Sequence, residues 1–311
     1  MAKRKRTKSK AKKISFRLAV SKRKKQRKIA YRPSLTGILK VLAAVCVLAA
    51  VVIGFVFLNK YVKKAIPVSE KTASLELVDV PAWVNEPLKE KIYAAAKANG
   101  EDLKLDEDAA RLAAENLASV AWLNEVKVQV THNSIRIEGL WRKPLALVKS
   151  GLQKFYVDAE LVVLDFVPMP NLPVVKVKGL LVTTKPPPLG KVWQKDDLRA
   201  AVAILAQLDQ MDSLVAAEKP LLYEIDSVDV SNFNGRKNRR LPHIVLYTKD
   251  DTRIIWGAEI GTWQRYLEAT DEDKLAKLYS YYEEYGSLLG GAKYINLRDP
   301  QETISLPVDK Y

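Results

Sequence analysis

Cysteine is almost missing from this sequence: Cys46 is the only one in 311 residues. It lies inside an apolar run, so no intrachain disulfide can form. Histidine is nearly as scarce, with only His132 and His243. A metal site needs about three or four convergent ligands, so both read as ordinary surface or edge residues, and no metal or cofactor is expected. A serine triad has too few histidines to draw on, and neither G-x-S-x-G nor S-x-x-K occurs in a suitable strand–turn–helix setting. Pro188-Leu189-Gly190-Lys191 lacks the upstream glycine and the following Ser/Thr of a phosphate loop. Glu283 and Glu284 are adjacent on an expected helix and point about 100° apart, which argues against an acid–base pair. Nothing in the sequence reads as catalytic.

Acidic residues are missing from the first 40 positions, which hold 17 of the 51 Lys and Arg. The rest of the chain carries 34 basic against 36 acidic side chains, so it is close to neutral and is no general polyanion binder. Residues 1–34 read as a disordered basic tail without hydrophobic period. Phe16 and Tyr31 are its only aromatics, so attraction to anionic lipid is favoured over specific nucleic-acid binding.

Charge is also missing from Val41–Leu58, 18 consecutive, mostly apolar residues. At 1.5 Å per residue they extend roughly 27 Å, close to a hydrocarbon core of about 30 Å. A cleaved signal peptide would have a shorter charged region and a shorter apolar run. A lipoprotein signal ending at Cys46 is opposed by bulky Val45. Residues 35–59 therefore read as a single transmembrane helix. Basic residues crowd its amino-terminal side, which sets the tail in the cytoplasm and residues after 60 outside.

After a linker at 60–72, Ser74–Val80 alternates as a half-buried strand does. A helix runs from an Asn85 cap toward Gly100, and a second from Asp106 to Leu117. Val126–Val130 and Ser134–Leu140 flank a His132-Asn133 turn. The resulting order is β-α-α-β-β over 73–144. Residues 145–311 are richer in strands: Phe155–Val157, Leu161–Leu164, Leu222–Val230, His243–Thr248, Arg253–Trp256, Lys293–Arg298 and Thr303–Leu306. Helices are expected at Asp196–Leu208 and Asp271–Tyr285, the latter packing through Leu275, Leu278, Tyr282 and Tyr285. There is no internal repeat.

Several segments carry a resemblance. Trp122–Val130 is similar to a "wVk-x-v-x-V" strand. Arg142-Lys143-Pro144-Leu145-Ala146 matches "R-x-P-v-A", with Trp141 where an acid is usual. Gln153–Asp158 resembles "ylvD-x-dG" without its glycine. Leu172-Pro173-Val174-Val175 with Gly179 resembles "LP-v-l-x-G", and Arg253–Gly257 resembles "v-x-l-G". Tyr294–Arg298 is close to "yiDLR", with Asn296 replacing the acid. This ordered set resembles the FtsQ/DivIB family of bacterial division proteins.

The resemblance implies an α+β chain: one transmembrane helix, a POTRA-like domain at 73–144, and a β domain at 145–311 built on a mixed or antiparallel sheet. It implies a non-enzymatic scaffold of the inner membrane at the division site. Its partners would be FtsB/FtsL-like and other divisome membrane proteins, engaged outside the membrane to coordinate septal peptidoglycan synthesis. The partner site it implies is Tyr294, Asn296, Arg298, Asp299, Thr303, Ile304, Ser305 and Leu306, with the last strand as a free edge. The rival reading is a membrane-anchored cell-wall or carbohydrate enzyme, whose two carboxylates need no fixed spacing in sequence.

Overall fold

The computed structural model describes residues 35–65, 74–97, 107–181, 185–291 and 293–300. The basic tail, most of the expected linker and the expected strand at Thr303–Leu306 lie outside them. The chain divides into two compact units, Met1–Pro67 and Val68–Tyr311.

The first unit contains one helix, α1 (Leu35–Ala65), 31 residues long. Its side chains from Leu42 to Leu58 are all exposed, and the apolar residues occupy every side of it. Among the described residues, no helix is long and apolar enough to cross a membrane. The expected run Val41–Leu58 includes Val41, whose side chain lies outside those described.

The second unit opens with β1 (Ser74–Leu77), α2 (Glu86–Ala96), α3 (Glu107–Leu117), β2 (Leu123–Val130) and β3 (Ser134–Trp141). Asn85 caps α2, its side-chain oxygen accepting from the Leu88 N–H at 3.2 Å. Leu88, Ile92 and Ala96, one turn apart, form the buried stripe of α2; Ala109, Ala113 and Leu117 do the same for α3. Both stripes pack over a sheet ordered β1-β3-β2. β1 runs parallel to β3, which the helical crossover makes possible. β2 pairs antiparallel with β3 through the two-residue turn His132-Asn133. Thr131 closes it, its N–H donating to the Ser134 carbonyl at 2.8 Å.

A second sheet begins at Pro144. Its strands are β4 (Pro144–Ser150), β5 (Gln153–Asp158), β6 (Val163–Asp165), β7 (Val175–Lys178), β8 (Ile225–Asp229), β9 (Ile244–Thr248), β10 (Arg253–Gly257) and β11 (Tyr294–Asn296). They lie in the order β11-β10-β9-β8-β7-β4-β5-β6, a mixed sheet. One face is covered by α4 (Asp196–Val215) and α6 (Asp271–Tyr285), with the short α5 (Trp263–Tyr266) leading into α6. Val148, Val177, Val228, Leu246, Ile254 and Ile295 meet Leu198, Leu205 and Leu278 in that core.

The other face, near β5 and β6, packs on the first sheet's module. Trp122 is wholly buried there, edge-on to Tyr156 with ring centroids 6.1 Å apart. Its indole N–H donates to Asp165 at 3.1 Å, and Lys91 pairs with the same carboxylate. The Asn85 amide donates to the Pro168 carbonyl at 2.7 Å. The two sheets thus share one apolar cluster.

Several expectations need correction. The expected strand at Leu222–Val230 opens as a 3-10 turn over Leu221–Glu224. The Asp212 carboxylate holds that turn by accepting from the Leu221 and Leu222 N–H groups, each at 2.9 Å. The expected packing face of α6 holds at Leu275, Leu278 and Tyr282 but is wider toward one side: Tyr279 and Tyr281 are buried as well, whereas Tyr285 is 45% exposed. Tyr279 turns inward because its hydroxyl donates to Asp212 at 2.7 Å. His243 is no surface residue. It is buried edge-on against Tyr266, with rings 4.6 Å apart.

Candidate functional site

Every sheet has two outer strands, and the larger sheet treats its two differently. At the β6 edge, the segment Gly190–Trp193 runs alongside. The Val163 N–H donates to the Lys191 carbonyl at 3.0 Å, and the Gly190 N–H to the Val163 carbonyl at 2.8 Å. The Trp193 N–H donates to the Leu161 carbonyl at 2.8 Å, and Val162 bridges Val192. That edge is covered over Leu161–Val163.

At the opposite edge, β11 pairs parallel with β10, Tyr294 opposite Arg253 and Asn296 opposite Ile255. The Lys293 carbonyl accepts from the Arg253 N–H at 3.1 Å, and the Leu297 N–H donates to the Ile255 carbonyl at 3.0 Å. Odd-numbered residues therefore turn their backbone groups toward β10. Tyr294 and Asn296, alternating with them, turn theirs outward. No described residue pairs with that outward row. An edge of this kind presents unmatched donors and acceptors to an incoming strand.

Side chains alternate as well. Ile295 and Leu297 are fully buried, and Tyr294 is 52% exposed. Beyond the strand, the Asn296 side-chain oxygen accepts from the Arg298 N–H at 3.2 Å, and the Arg298 carbonyl accepts from the Ala269 N–H at 2.7 Å. Lys277 donates to the Asp299 carbonyl. Tyr294, Asn296, Arg298 and Asp299 are thus contiguous on a fixed strand end. Thr303, Ile304, Ser305 and Leu306, the other expected site residues, lie outside the described residues.

The strand end is held by groups that sequence reading missed. Lys274 is wholly buried, 2.7 Å from Glu268 and 5.5 Å from the centroid of the Trp256 ring. Glu268 also accepts from the Ala258 N–H at 2.9 Å. Gly257 has φ of 98°, and a Cβ there would overlap the Glu268 carboxylate and the Arg298 stem. The glycine ending Arg253–Gly257 was the one visible signal of this joint. Burial lowers the pKa of His243, which faces both Glu268 and Arg298.

Carboxylates in contact with one another bear on the enzymatic alternative. Asp158 and Glu160 share the Arg142 guanidinium at 2.7 and 3.0 Å. Burial, followed by the Asp158 charge, raises the pKa of Glu160. Asp158 is itself occupied, accepting from the Val162 N–H at 2.7 Å, so it fixes the turn between β5 and β6. Asp212, whose pKa is raised by burial, is likewise occupied by Leu221, Leu222 and Tyr279. Among the described residues no cluster of three or more His, Cys, Asp or Glu could hold a metal ion. No family model matches the chain, and no curated protein is significantly similar to it.

Proposed function

We propose that this chain is a non-enzymatic scaffold of the bacterial divisome, of the FtsQ/DivIB kind, anchored in the inner membrane by α1. Its amino terminus lies in the cytoplasm and its second unit outside. The β-α-α-β-β order with sheet order β1-β3-β2 supports a POTRA-like reading of the first module. The unequal edges of the larger sheet carry the functional reading. One edge is covered by Gly190–Trp193, while β11 offers an outward row of backbone groups beside exposed Tyr294. Strand addition satisfies such a row, and neighbouring side chains select the partner. The partner is an FtsB-like strand, delivered with its FtsL-like companion.

Tyr294→Pro tests this. It deletes an outward N–H and leaves the bonds between β10 and β11 in place, a position where an edge strand tolerates proline. The full chain, captured from membranes with its FtsB-like partner, should lose at least about tenfold in affinity. Tyr294→Ala, which keeps the N–H, should lose less. Unchanged affinity in a folded Tyr294→Pro protein would sink the edge-strand reading.

A further inference from the structure

Six strands of the larger sheet, β4, β6, β7, β8, β10 and β11, point one way, and β5 and β9 point the other. The turns following the six therefore gather at one pole, opposite the pole where Arg142 meets Asp158. Four leucines stand on separate turns at this pole, all exposed: Leu152 between β4 and β5, Leu181 after β7, Leu241 before β9, and Leu267 after α5. Leu152 is 99% and Leu267 89% exposed, more than any other large hydrophobic side chain described. Tyr266 against His243 and the Ala269 N–H on the Arg298 carbonyl bring Leu267 to this end. Asp197 fixes Leu181, accepting its N–H at 2.8 Å while pairing with Arg236 at 3.0 Å.

The turns are built firmly. Buried Asn232 accepts from the Lys237 and Asn238 N–H groups, each at 2.9 Å. It donates to the carbonyls of Asn238, Leu241 and Pro242 at 2.9, 3.1 and 3.0 Å. That one side chain sets the shape of a loop carrying Lys237, Arg239 and Arg240, all exposed. Lys149 and Lys154 sit directly opposite each other across β4 and β5, an unfavourable pairing of like charges. Exposed Arg265 adds to them beside Leu267. None of these six cations has an acid within ion-pair reach among the described residues. Most acids of the same pole are engaged: Asp197 by Arg236, Asp196 by Arg199, Glu268 by Lys274, Asp271 by the Gly261 N–H, and Asp229 by the Ser231 N–H. Glu272 and Asp273, exposed in the first turn of α6, are fewer than the cations. Glu259 is half-buried.

We infer that this pole docks on an anionic lipid surface, its leucines entering the headgroup–acyl boundary and its cations facing the phosphates. Apolar tips set among Lys and Arg are what interfacial binding requires. A soft plane suits them better than a folded protein does, because Leu152 and Leu267, projecting with almost complete exposure, form no groove for a partner to fill. At about 4.8 Å between strands, the row from the β4–β5 turn to β9 extends roughly 20 Å, a broad footing. The inference rests on strand polarity and loop composition, and it stands or falls separately from strand addition at β11.

Full-length protein in nanodiscs of neutral phosphatidylcholine would be floated with separate vesicles. These contain phosphatidylcholine alone or mixed with phosphatidylglycerol. The wild type should float with the anionic vesicles and not with the neutral ones. Leu152→Glu/Leu267→Glu and Arg239→Gln/Arg240→Gln should each reduce that fraction by about tenfold or more, with unfolding midpoints unchanged. Replacing the Lys and Arg of residues 1–34 by Gln in every protein compared, the reference included, removes the tail's own lipid attraction from the comparison. Equal flotation of variants and wild type would overturn the inference, as would equal flotation with both vesicle types. Soluble poly-glutamate bound by the wild type and not by Arg239→Gln/Arg240→Gln, with no vesicle binding, would give the surface to an acidic protein instead.

Discussion

Buried charge at Glu268 and Lys274 makes single residues near β11 unusually consequential. Lys274 has no exposed surface, and its ammonium is balanced by one carboxylate and one aromatic face. Lys274→Ala would strand Glu268 against the core, and loss of one member of a buried pair costs about 3–5 kcal/mol. The expected outcome is a lower urea midpoint with unchanged slope, read by tryptophan fluorescence. His243 supplies a pH dependence whose sign follows from its burial. Its folded pKa lies below the ordinary 6.5, so below that pH the unfolded chain takes up a proton that the folded chain refuses. Stability should therefore fall as pH drops through about 6.5 toward the lower folded value. His243→Gln should flatten that limb; an identical pH profile would assign the effect elsewhere.

Among the elements, those with local signals were legible in sequence and those fixed by distant contacts were not. α6 covers Asp271–Tyr285 as expected, because Thr270 caps its start, accepting from the Asp273 N–H at 3.0 Å, and Gly286 ends it at φ 68°. The His132-Asn133 turn was legible for the same reason. α4 runs seven residues past the expected Leu208, where Asp212 anchors Leu221 and Leu222 across the following loop and Tyr279, 67 residues on. β7 is only four residues long and follows Pro173, so its alternation is brief; β4 starts on a proline and reads as a continuous apolar run. At the candidate site, the inward and outward alternation of Tyr294–Leu297 was visible, and the Glu268–Lys274 support from α6 was not. Asp212→Ala should expose the difference. It leaves two buried backbone N–H groups without acceptors, a loss of about 2–4 kcal/mol. Hydrogen exchange should rise first at Leu221 and Leu222.

For the molecule as a whole, the shared core means that the two sheets should unfold together. Trp122 belongs to the first module but is buried against Tyr156 and bonded to Asp165 in the second. Trp122→Phe removes the indole donor and some volume, and Trp122→Ala should cost about 3–5 kcal/mol. In both variants, fluorescence and far-UV circular dichroism should trace one coincident transition. Two separated transitions would show that the modules are energetically independent. The unequal edges of the larger sheet also limit self-association. A sheet open on both sides can polymerise without end, copy after copy, into a filament. Among the described residues Gly190–Trp193 covers one side, so two copies meeting through the described strands of this sheet would join β11 to β11 about a two-fold axis. That contact uses the same surface on both partners, leaves nothing to extend, and stops at a closed pair.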